Sequence, residues 1–389
     1  MRFSRRAEAV TPFYAMEFGK HAAELEATGV HVVKLNIGEP DFGAPPAFLE
    51  AIRGLTDGRP LAYTGALGLP ELRERIAQFS GAQFGAPIDA RRVVVTTGAS
   101  AALLLSCAAL IDPGDEVLVG DPSYPCNRRF AESFGADVRL LGTGPSSRFQ
   151  LTPDDVADAW SERTRGVMIA SPSNPTGTSL AYDDLLDLCR VAEDRDGWRI
   201  VDEIYLGLAD GERRSVAADD PGAIVINSFS KYFGMTGWRL GWAVLPEEMI
   251  PVAERLAQNY YICPPTPSQM AALTCFDPQT IAEAEARRNT LHGRRNLVLD
   301  GLRRIGLDVP VPPDGAFYVY VDVSPTGLTA SEFCERALAS AHVALTPGKD
   351  FGDIGAERYV RLSYATAESD LRIGLERLGE FVSGLPAAE

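Results

Sequence analysis

The chain has 389 residues, which is enough for two or three domains of about 150 residues each and for a large buried core. Hydrophobic residues make up 46% of it and charged residues 23%, and no apolar run approaches the roughly 20 residues needed to span a membrane. The formal net charge of −16 argues against a nucleic-acid-binding protein, because such proteins carry basic surfaces.

The N-terminal residues, the cysteines and the histidines suggest neither a secreted protein nor a metal site. Residues 1–6 are basic, but polar and acidic residues follow where a secretory signal needs an apolar segment, so we expect a cytoplasmic protein. The six cysteines lack CxxC spacing and are expected to be reduced thiols. The four histidines lie far apart, so neither a metal site nor a histidine-based catalytic triad is predicted.

The first two thirds of the chain predict an α/β fold. A helix is expected at 18–28 and a strand at 32–36. Short runs rich in valine and isoleucine then alternate with helical patterns. The runs predict strands at 93–96, 117–119, 138–141, 167–170, 200–202, 224–226 and 242–245, and the helical patterns include 69–80, 100–110 and 182–192. Near-continuous apolar strands between helices are typical of a mostly parallel sheet covered on both faces, here one of seven strands.

The pattern changes after about residue 278. A long helix at 281–304 is followed by strands at 317–321 and 359–363, with helices at 330–341 and 368–381. This arrangement predicts a second, smaller α+β domain, onto which the N-terminal segment could pack. We therefore expect a large domain at 46–277, and a small domain formed by 1–45 and 278–389.

Lys231 is the residue with the strongest chemical signal. It lies in the aromatic stretch 227–239 and is one of only four lysines, whereas the Lys+Arg total of 37 leaves 33 arginines. Arginine stays protonated, but a desolvated lysine readily becomes a neutral amine that can form a Schiff base. The alternative is a lysine on a solvated loop. The commonest aldehyde for such a lysine is pyridoxal 5′-phosphate, whose ring withdraws electrons from the substrate.

Other segments supply groups suited to this cofactor. A strand-to-helix turn at 96–100 contains Gly98, Ala99 and Ser100, which could bind a phosphate at a helix N-terminus, although any α/β protein can have such a turn. Asp202 ends a predicted strand and could pair with a protonated pyridine nitrogen. The next residue, Glu203, points to the other side of the strand and is interpreted as a structural or solvent-facing charge.

Two more side chains could bind the cofactor's phenolate oxygen. Tyr205 could donate a hydrogen bond to it, although a core tyrosine is the alternative. Asn174, in the turn 171–177, could hold the same oxygen through its amide. The segments SPSNPTG, DEIY and SFSK occur in that order and at a spacing that chance does not explain.

With these motifs the chain resembles the class I/II aminotransferases of the fold-type I pyridoxal phosphate enzymes, in the bacterial subgroup of aspartate, alanine and aromatic transaminases. The resemblance covers essentially the whole length. Further segments that carry it are LNIGEPDF at 35–42, YTG at 63–65, DPGD at 112–115, SYP at 123–125, GAFY at 315–318 and VRLSY at 360–364.

The resemblance implies a role for each site residue. Lys231 would be the Schiff-base lysine and the general base, Asp202 the partner of the pyridinium, and Asn174 and Tyr205 the partners of the phenolate oxygen. Further cofactor contacts would come from Tyr124 against the ring and from Gly98, Ala99, Ser100, Ser228, Ser230 and Arg239 at the phosphate. Arg361 would bind the substrate α-carboxylate under Gly38, with Asn174 and Tyr124 beside the substrate. Tyr63 would reach the phosphate of a second subunit, which implies a homodimer with shared sites.

The sequence also departs from some members of the family. Those acting on acidic substrates often have a lysine where this chain has Ser100, and others use an arginine of the second subunit. The segment expected to face that subunit, 258–265, offers aromatic residues and no cation. We therefore expect an amino acid and a 2-oxo acid with a neutral or aromatic side chain, exchanged by a ping-pong mechanism.

Two other functions are compatible with the motifs. The first is an enzyme of the same fold that catalyses elimination, replacement or cyclisation. The second is a non-catalytic sensor that binds the same cofactor. The motifs begin by residue 35, which leaves no room before them for a DNA-binding module, and the net charge disfavours DNA.

Overall fold

The computed structural model describes residues 1–386, so residues 387–389 of the predicted small domain lie outside the described part. Its α-helices are α1 (Arg5–Ala9), α2 (Tyr14–Ala27), α3 (Pro46–Gly54), α4 (Pro70–Phe84), α5 (Ala99–Leu110), α6 (Pro125–Ser133), α7 (Pro153–Ala159), α8 (Tyr182–Glu193), α9 (Ile250–Tyr260), α10 (Thr266–Ala272), α11 (Pro278–Arg304), α12 (Ala330–Arg336) and α13 (Glu368–Ser383). None of these helices combines the length and apolar character needed to cross a membrane.

The strands form one large sheet and two small ones. They are β1 (Val33–Lys34), β2 (Val93–Thr96), β3 (Glu116–Asp121), β4 (Asp137–Gly142), β5 (Thr164–Ala170), β6 (Trp198–Asp202), β7 (Ile224–Ser228), β8 (Gly241–Val244), β9 (Tyr318–Asp322), β10 (Val343–Ala344), β11 (Thr346–Pro347) and β12 (Tyr359–Ser363). The large sheet has the order β2-β8-β7-β6-β5-β3-β4. Only the pairings of β8 in it are antiparallel, which confirms the predicted mostly parallel, seven-stranded sheet.

The central strands of the large sheet are buried on both faces because they consist mostly of apolar residues, whereas the edge strand β4 is partly exposed. On β6, Val201 packs into the hydrophobic cluster on one face and Ile200 into the cluster on the other. Burying one such side chain stabilises the fold by about 1.5–3 kcal/mol. The register pairs Ala170 with Asp202 and Asp202 with Ile226, so β5, β6 and β7 end at one edge. Residues that follow these strands are thereby brought together.

The two small sheets carry the rest of the site. One has the antiparallel order β11-β12-β9, and Arg361 of β12 lies opposite Tyr320 of β9 and Thr346 of β11. The other pairs β1 with β10 in parallel, so the N-terminal segment is joined to a strand near the C-terminus. The domain boundaries at 45/46 and 277/278 stay a prediction.

Five of the helices that the sequence did not predict have a common feature, which the short helix α1 lacks. Each of α3, α6, α7, α9 and α10 has a proline in its first turn, where the missing N–H costs no hydrogen bond. The expected strand at 32–36 contains only two strand residues. The expected helix at 330–341 is α-helical to Arg336 and continues as a π-helical turn, Ala337–Ala341.

Candidate active site

A cavity of about 490 Å³ opens at the edge where β5, β6 and β7 end. Its walls also include residues of β9, β12 and the segments before α2 and after β1. Eleven of the fourteen predicted site residues line it. They are Gly38, Ala99, Ser100, Tyr124, Asn174, Asp202, Tyr205, Ser230, Lys231, Arg239 and Arg361.

The other three predicted residues, Gly98, Ser228 and Tyr63, do not line this cavity. Gly98 is the N-cap of α5 with a φ of 79°, and a Cβ there would lie 2.7 Å from Nη2 of Arg239. Ser228 is buried behind Ser230, with its hydroxyl 3.0 Å from the Leu240 carbonyl oxygen. Tyr63 is 77% exposed. The first two therefore support the wall of the cavity, and Tyr63 faces outward.

Lys231 follows β7 and lines the cavity. Its Nζ donates a hydrogen bond to the Gly38 carbonyl oxygen at 2.6 Å. Burial lowers the pKa of Lys231 to about 8, and the charges of Arg361 and Arg239 act in the same direction against the opposing carboxylate of Glu39. A substantial fraction of Lys231 is therefore a neutral amine near pH 8, as a nucleophilic lysine requires.

Asp202 is the last residue of β6 and is 6% exposed. Its Oδ1 accepts a hydrogen bond from the Ile204 backbone N–H at 3.0 Å. Burial raises the pKa of Asp202 to about 6, while this hydrogen bond and the charge of Lys231 lower it. The carboxylate is thus desolvated and lines the cavity, so that a cationic ring nitrogen can bind there.

Hydrogen-bond donors suited to an anion surround the N-terminus of α5. The helix begins at Ala99, and its first backbone N–H groups have no partner within the helix. Ser100 and Ser230 line the same side of the cavity, and Arg239 approaches it past the missing side chain of Gly98. Helix N–H groups, hydroxyls and a guanidinium together form a donor set suited to a phosphate.

Arg361, on β12, also lines the cavity and is 2% exposed. Its Nη1 donates to Oδ1 of Asn174 at 2.9 Å, and its Nη2 donates to the Asn36 carbonyl oxygen at 2.7 Å. The guanidinium lies between the rings of Tyr318 and Phe351, at 4.5 and 4.7 Å from their centroids. Its Nε has no hydrogen-bond partner. A buried guanidinium with a free donor is a ready site for a carboxylate.

Tyr205 and Tyr124 complete the walls. The Tyr205 hydroxyl lies 2.8 Å from the Tyr318 hydroxyl, and burial raises the pKa of Tyr205 well above its usual value, so that it keeps its proton. Burial likewise raises the pKa of Tyr124, whose ring meets Phe13 edge to face at 6.4 Å. Both tyrosines are therefore neutral hydrogen-bonding groups with large apolar faces.

Sequence reasoning assigned no role to several residues of the site. Tyr318 lines the cavity, although the segment 315–318 was noted for its family pattern alone. Asn36 accepts from Arg361 through its carbonyl, a backbone contact that no side-chain pattern signals. Glu203, next to Asp202, does not line the cavity. It is 1% exposed, so of its two expected roles the solvent-facing one is wrong.

The match to known proteins covers nearly the whole chain. The family model described as "Aminotransferase class I and II" matches residues 30–378. Valine–pyruvate aminotransferase of Mycobacterium tuberculosis is 40% identical over 376 residues, which cover 96% of this chain and 97% of that protein. Aspartate/prephenate aminotransferase of Thermus thermophilus is 38% identical over 382 residues, or 96% and 97% of the two chains. The crystal structure of an aminotransferase from Mycobacterium tuberculosis matches with a TM-score of 0.95 at 39% identity, covering 98% of this chain and 99% of that one.

Proposed function

This chain belongs to the class I and II aminotransferase family and is an aminotransferase, and we propose that its cavity binds pyridoxal 5′-phosphate and amino acids with neutral or aromatic side chains. The observation that carries the substrate proposal is the placement of the cations. Among the described residues that line the cavity, the cations are Lys231, Arg239 and Arg361. Each of them has a task at the cofactor or at the α-carboxylate, so none is left for an acidic side chain.

The residues of the cavity fit the parts of the cofactor. The donor set at the N-terminus of α5 suits its phosphate, and the space that Gly98 leaves for Arg239 supports this assignment. Asp202 suits the protonated ring nitrogen, and Tyr205 with Asn174 suits the phenolate oxygen. The aldehyde would meet the Lys231 amine.

When bound, the cofactor supplies an aldehyde that joins to an amine and a protonated ring that withdraws electrons. Asp202 keeps the proton on the ring nitrogen because a buried carboxylate stabilises the cation beside it. Arg361 binds the α-carboxylate and so orients the substrate Cα. The Lys231 amine would take the proton from Cα as a general base and then deliver it, as a general acid, to the carbon of the cofactor that had carried the aldehyde, so that the amino group stays with the cofactor. The same groups serve the amino donor and the 2-oxo acid in turn, so we expect ping-pong kinetics.

The side-chain preference rests on Ser100 and on the apolar cavity mouth. Ser100 stands where a cation would be needed to bind a second carboxylate. Ile37 and Met16 line the mouth and are 40% and 68% exposed, so they can contact an apolar side chain. The relative named for valine and pyruvate agrees with a neutral side chain. The relative named for aspartate and prephenate makes a preference for acidic side chains the main alternative.

Half-reaction spectra with single amino donors test both proposals. We expect valine or phenylalanine alone to convert the visible band of the bound cofactor to its amine form, and aspartate to do so much more slowly. Ser100→Lys should improve aspartate relative to valine, and Ser100→Ala is the matched control. A wild-type enzyme that prefers aspartate would contradict the substrate proposal. Return of the original band after each addition would indicate elimination.

We also propose a homodimer, supported by an exposed apolar surface outside the cavity. Leu61, Tyr63, Tyr260 and Ile262 are 41%, 77%, 52% and 50% exposed. The two segments that carry them are joined by the hydrogen bond from the Thr266 hydroxyl to the Ala62 carbonyl oxygen at 2.8 Å. An apolar surface of this kind indicates a protein interface.

Mixing two inactive variants tests whether the site is shared. A Lys231→Ala chain and a Tyr63→Ala chain should together regain activity, because a hybrid dimer has one site with both residues intact. Each variant mixed with itself is the control. No recovery in a verified hybrid would show that Tyr63 serves its own chain or no site.

A cytoplasmic location also remains our proposal, in agreement with the six free cysteines.

A further inference from the structure

Tyr318 lies where the two ends of the site meet. It is the first residue of β9, is 1% exposed and lines the cavity. Its hydroxyl is 2.8 Å from the Tyr205 hydroxyl, and its ring centroid is 4.5 Å from the Arg361 guanidinium carbon. A Cβ on Gly38 would lie 2.5 Å from the same hydroxyl. One side chain therefore contacts the tyrosine at the cofactor end and the arginine at the carboxylate end.

The direction of the hydrogen bond between the two hydroxyls decides whether Tyr205 can also donate into the cavity. Burial raises the pKa of both Tyr205 and Tyr318, so each hydroxyl keeps its single proton. Either oxygen can be the donor in the pair. If Tyr205 gave its proton to Tyr318, it would have none left for an acceptor in the cavity. Donation by Tyr318 leaves the Tyr205 proton free, and a hydroxyl that accepts a hydrogen bond is a stronger donor itself.

We propose that Tyr318 is a positioning residue that donates a hydrogen bond to Tyr205, directs the Tyr205 proton to the cofactor's phenolate oxygen, and supports the guanidinium of Arg361 with its ring. The inference rests on the proposed cofactor site. Tyr318 itself needs no contact with the reacting atoms. Its two tasks use different parts of the side chain, so different substitutions separate them.

Tyr318→Phe removes only the hydroxyl and keeps the ring beside Arg361. Tyr205 then donates more weakly, and the negative phenolate oxygen is stabilised less. The pH at which the visible band of the cofactor bound to Lys231 changes should therefore rise by about 0.5 to 1 pH unit, the size of one neutral hydrogen bond. KM for amino acids should stay within about twofold, because the ring contact is retained.

Tyr318→Leu removes the ring as well as the hydroxyl. It should show the same spectral shift and in addition raise KM for all amino acids about tenfold, since Arg361 loses one of its two aromatic neighbours. Tyr320→Phe is the matched control. That tyrosine is 2% exposed on the same strand but packs against Phe149 and Tyr359 outside the cavity, so its spectral titration should equal that of the wild type.

A double-mutant cycle separates positioning from general destabilisation. In a Tyr205→Phe background, Tyr318→Phe should cause no further shift of the spectral titration, because its partner hydroxyl is gone. An unchanged titration in Tyr318→Phe, or equal shifts in both backgrounds, would overturn the inference. Failure of the proposed function looks different: the wild-type enzyme itself would then lack a visible band that depends on Lys231.

Discussion

Glu203 gives a quantitative prediction about stability, because it is a carboxyl group buried without a positive partner. Its Oε1 accepts a hydrogen bond from the Val216 backbone N–H at 2.8 Å, and its Oε2 has no partner. Burial raises the pKa of Glu203 from 4.5 to about 7, against the lowering effect of Ser215 and Val216, and the neighbouring Asp202 adds to the rise. Glu203→Gln keeps the acceptor and removes the ionisation.

The magnitude follows from the difference between the folded and unfolded pKa values. A rise from 4.5 to about 7 is about two and a half pH units, and each unit corresponds to about 1.4 kcal/mol. Between these pH values the folded chain binds more protons than the unfolded chain, so the free energy of unfolding falls as the pH rises. The contribution of protonated Glu203 is complete below pH 4.5 and lost above about pH 7, a change of about 3 kcal/mol. The glutamine variant lacks this loss.

Urea unfolding of the holoenzyme at pH 5.5 and pH 8 measures the effect. We expect the free energy of unfolding of Glu203→Gln, relative to wild type, to be about 2 kcal/mol larger at pH 8 than at pH 5.5, so that the variant is relatively more stable at the higher pH; part of the change is already complete below pH 5.5. Asp202 titrates in both proteins, and its electrostatic effect on Glu203 is part of the difference that is measured. Glu24→Gln, an exposed change on α2, is the matched control. An equal difference between Glu203→Gln and wild type at both pH values would refute the reasoning.

Four further predictions concern the active site. Lys231→Ala should abolish the visible band of the bound cofactor without unfolding the protein, and a reducible covalent link that persists in this variant would contradict the assignment. In enzyme freed of cofactor, an amine-reactive reagent should label Lys231 faster as the pH rises, with a midpoint at about pH 8, because the neutral amine forms above its lowered pKa. A midpoint near pH 10.5 would show that the amine is not desolvated. Asp202→Asn should keep cofactor binding and lower kcat by orders of magnitude, as followed by steady-state assay, whereas near-normal turnover would give the carboxylate a structural task. Arg361→Lys should lower kcat/KM for all amino acids alike, because a single charge replaces a two-point contact with their common α-carboxylate; a reordering of the substrates instead would place Arg361 at the substrate side chain.

The sequence predicts those site residues that follow a strand directly. Asp202 ends β6 and Lys231 follows β7. An apolar run with a reactive residue at or after its end therefore predicts that each side chain lies at the edge of the sheet. The position of Tyr318 beside Tyr205 joins residues 113 positions apart and depends on how β9 packs. The burial of Glu203 depends on the backbone N–H of Val216, which no periodicity indicates. The local sequence pattern thus predicts which residues are reactive, whereas tertiary packing determines their burial and their hydrogen-bond partners.

The division of the site between two sheets has a consequence for how substrate preference can change over evolution. The groups assigned to the cofactor follow strands of the seven-stranded sheet, whereas Arg361 and Tyr318 belong to the three-stranded sheet. Backbone hydrogen bonds from Asp314 and Gly315 to the Gly177 carbonyl oxygen, at 3.0 and 2.9 Å, join the approach to β9 to the turn after β5. Substitutions that tilt the small sheet about this junction would shift Arg361, and with it the substrate Cα, relative to Ser100 at the start of α5, so a different side chain would fit while the cofactor contacts stay intact. Relatives can therefore diverge in substrate without rebuilding their catalytic groups.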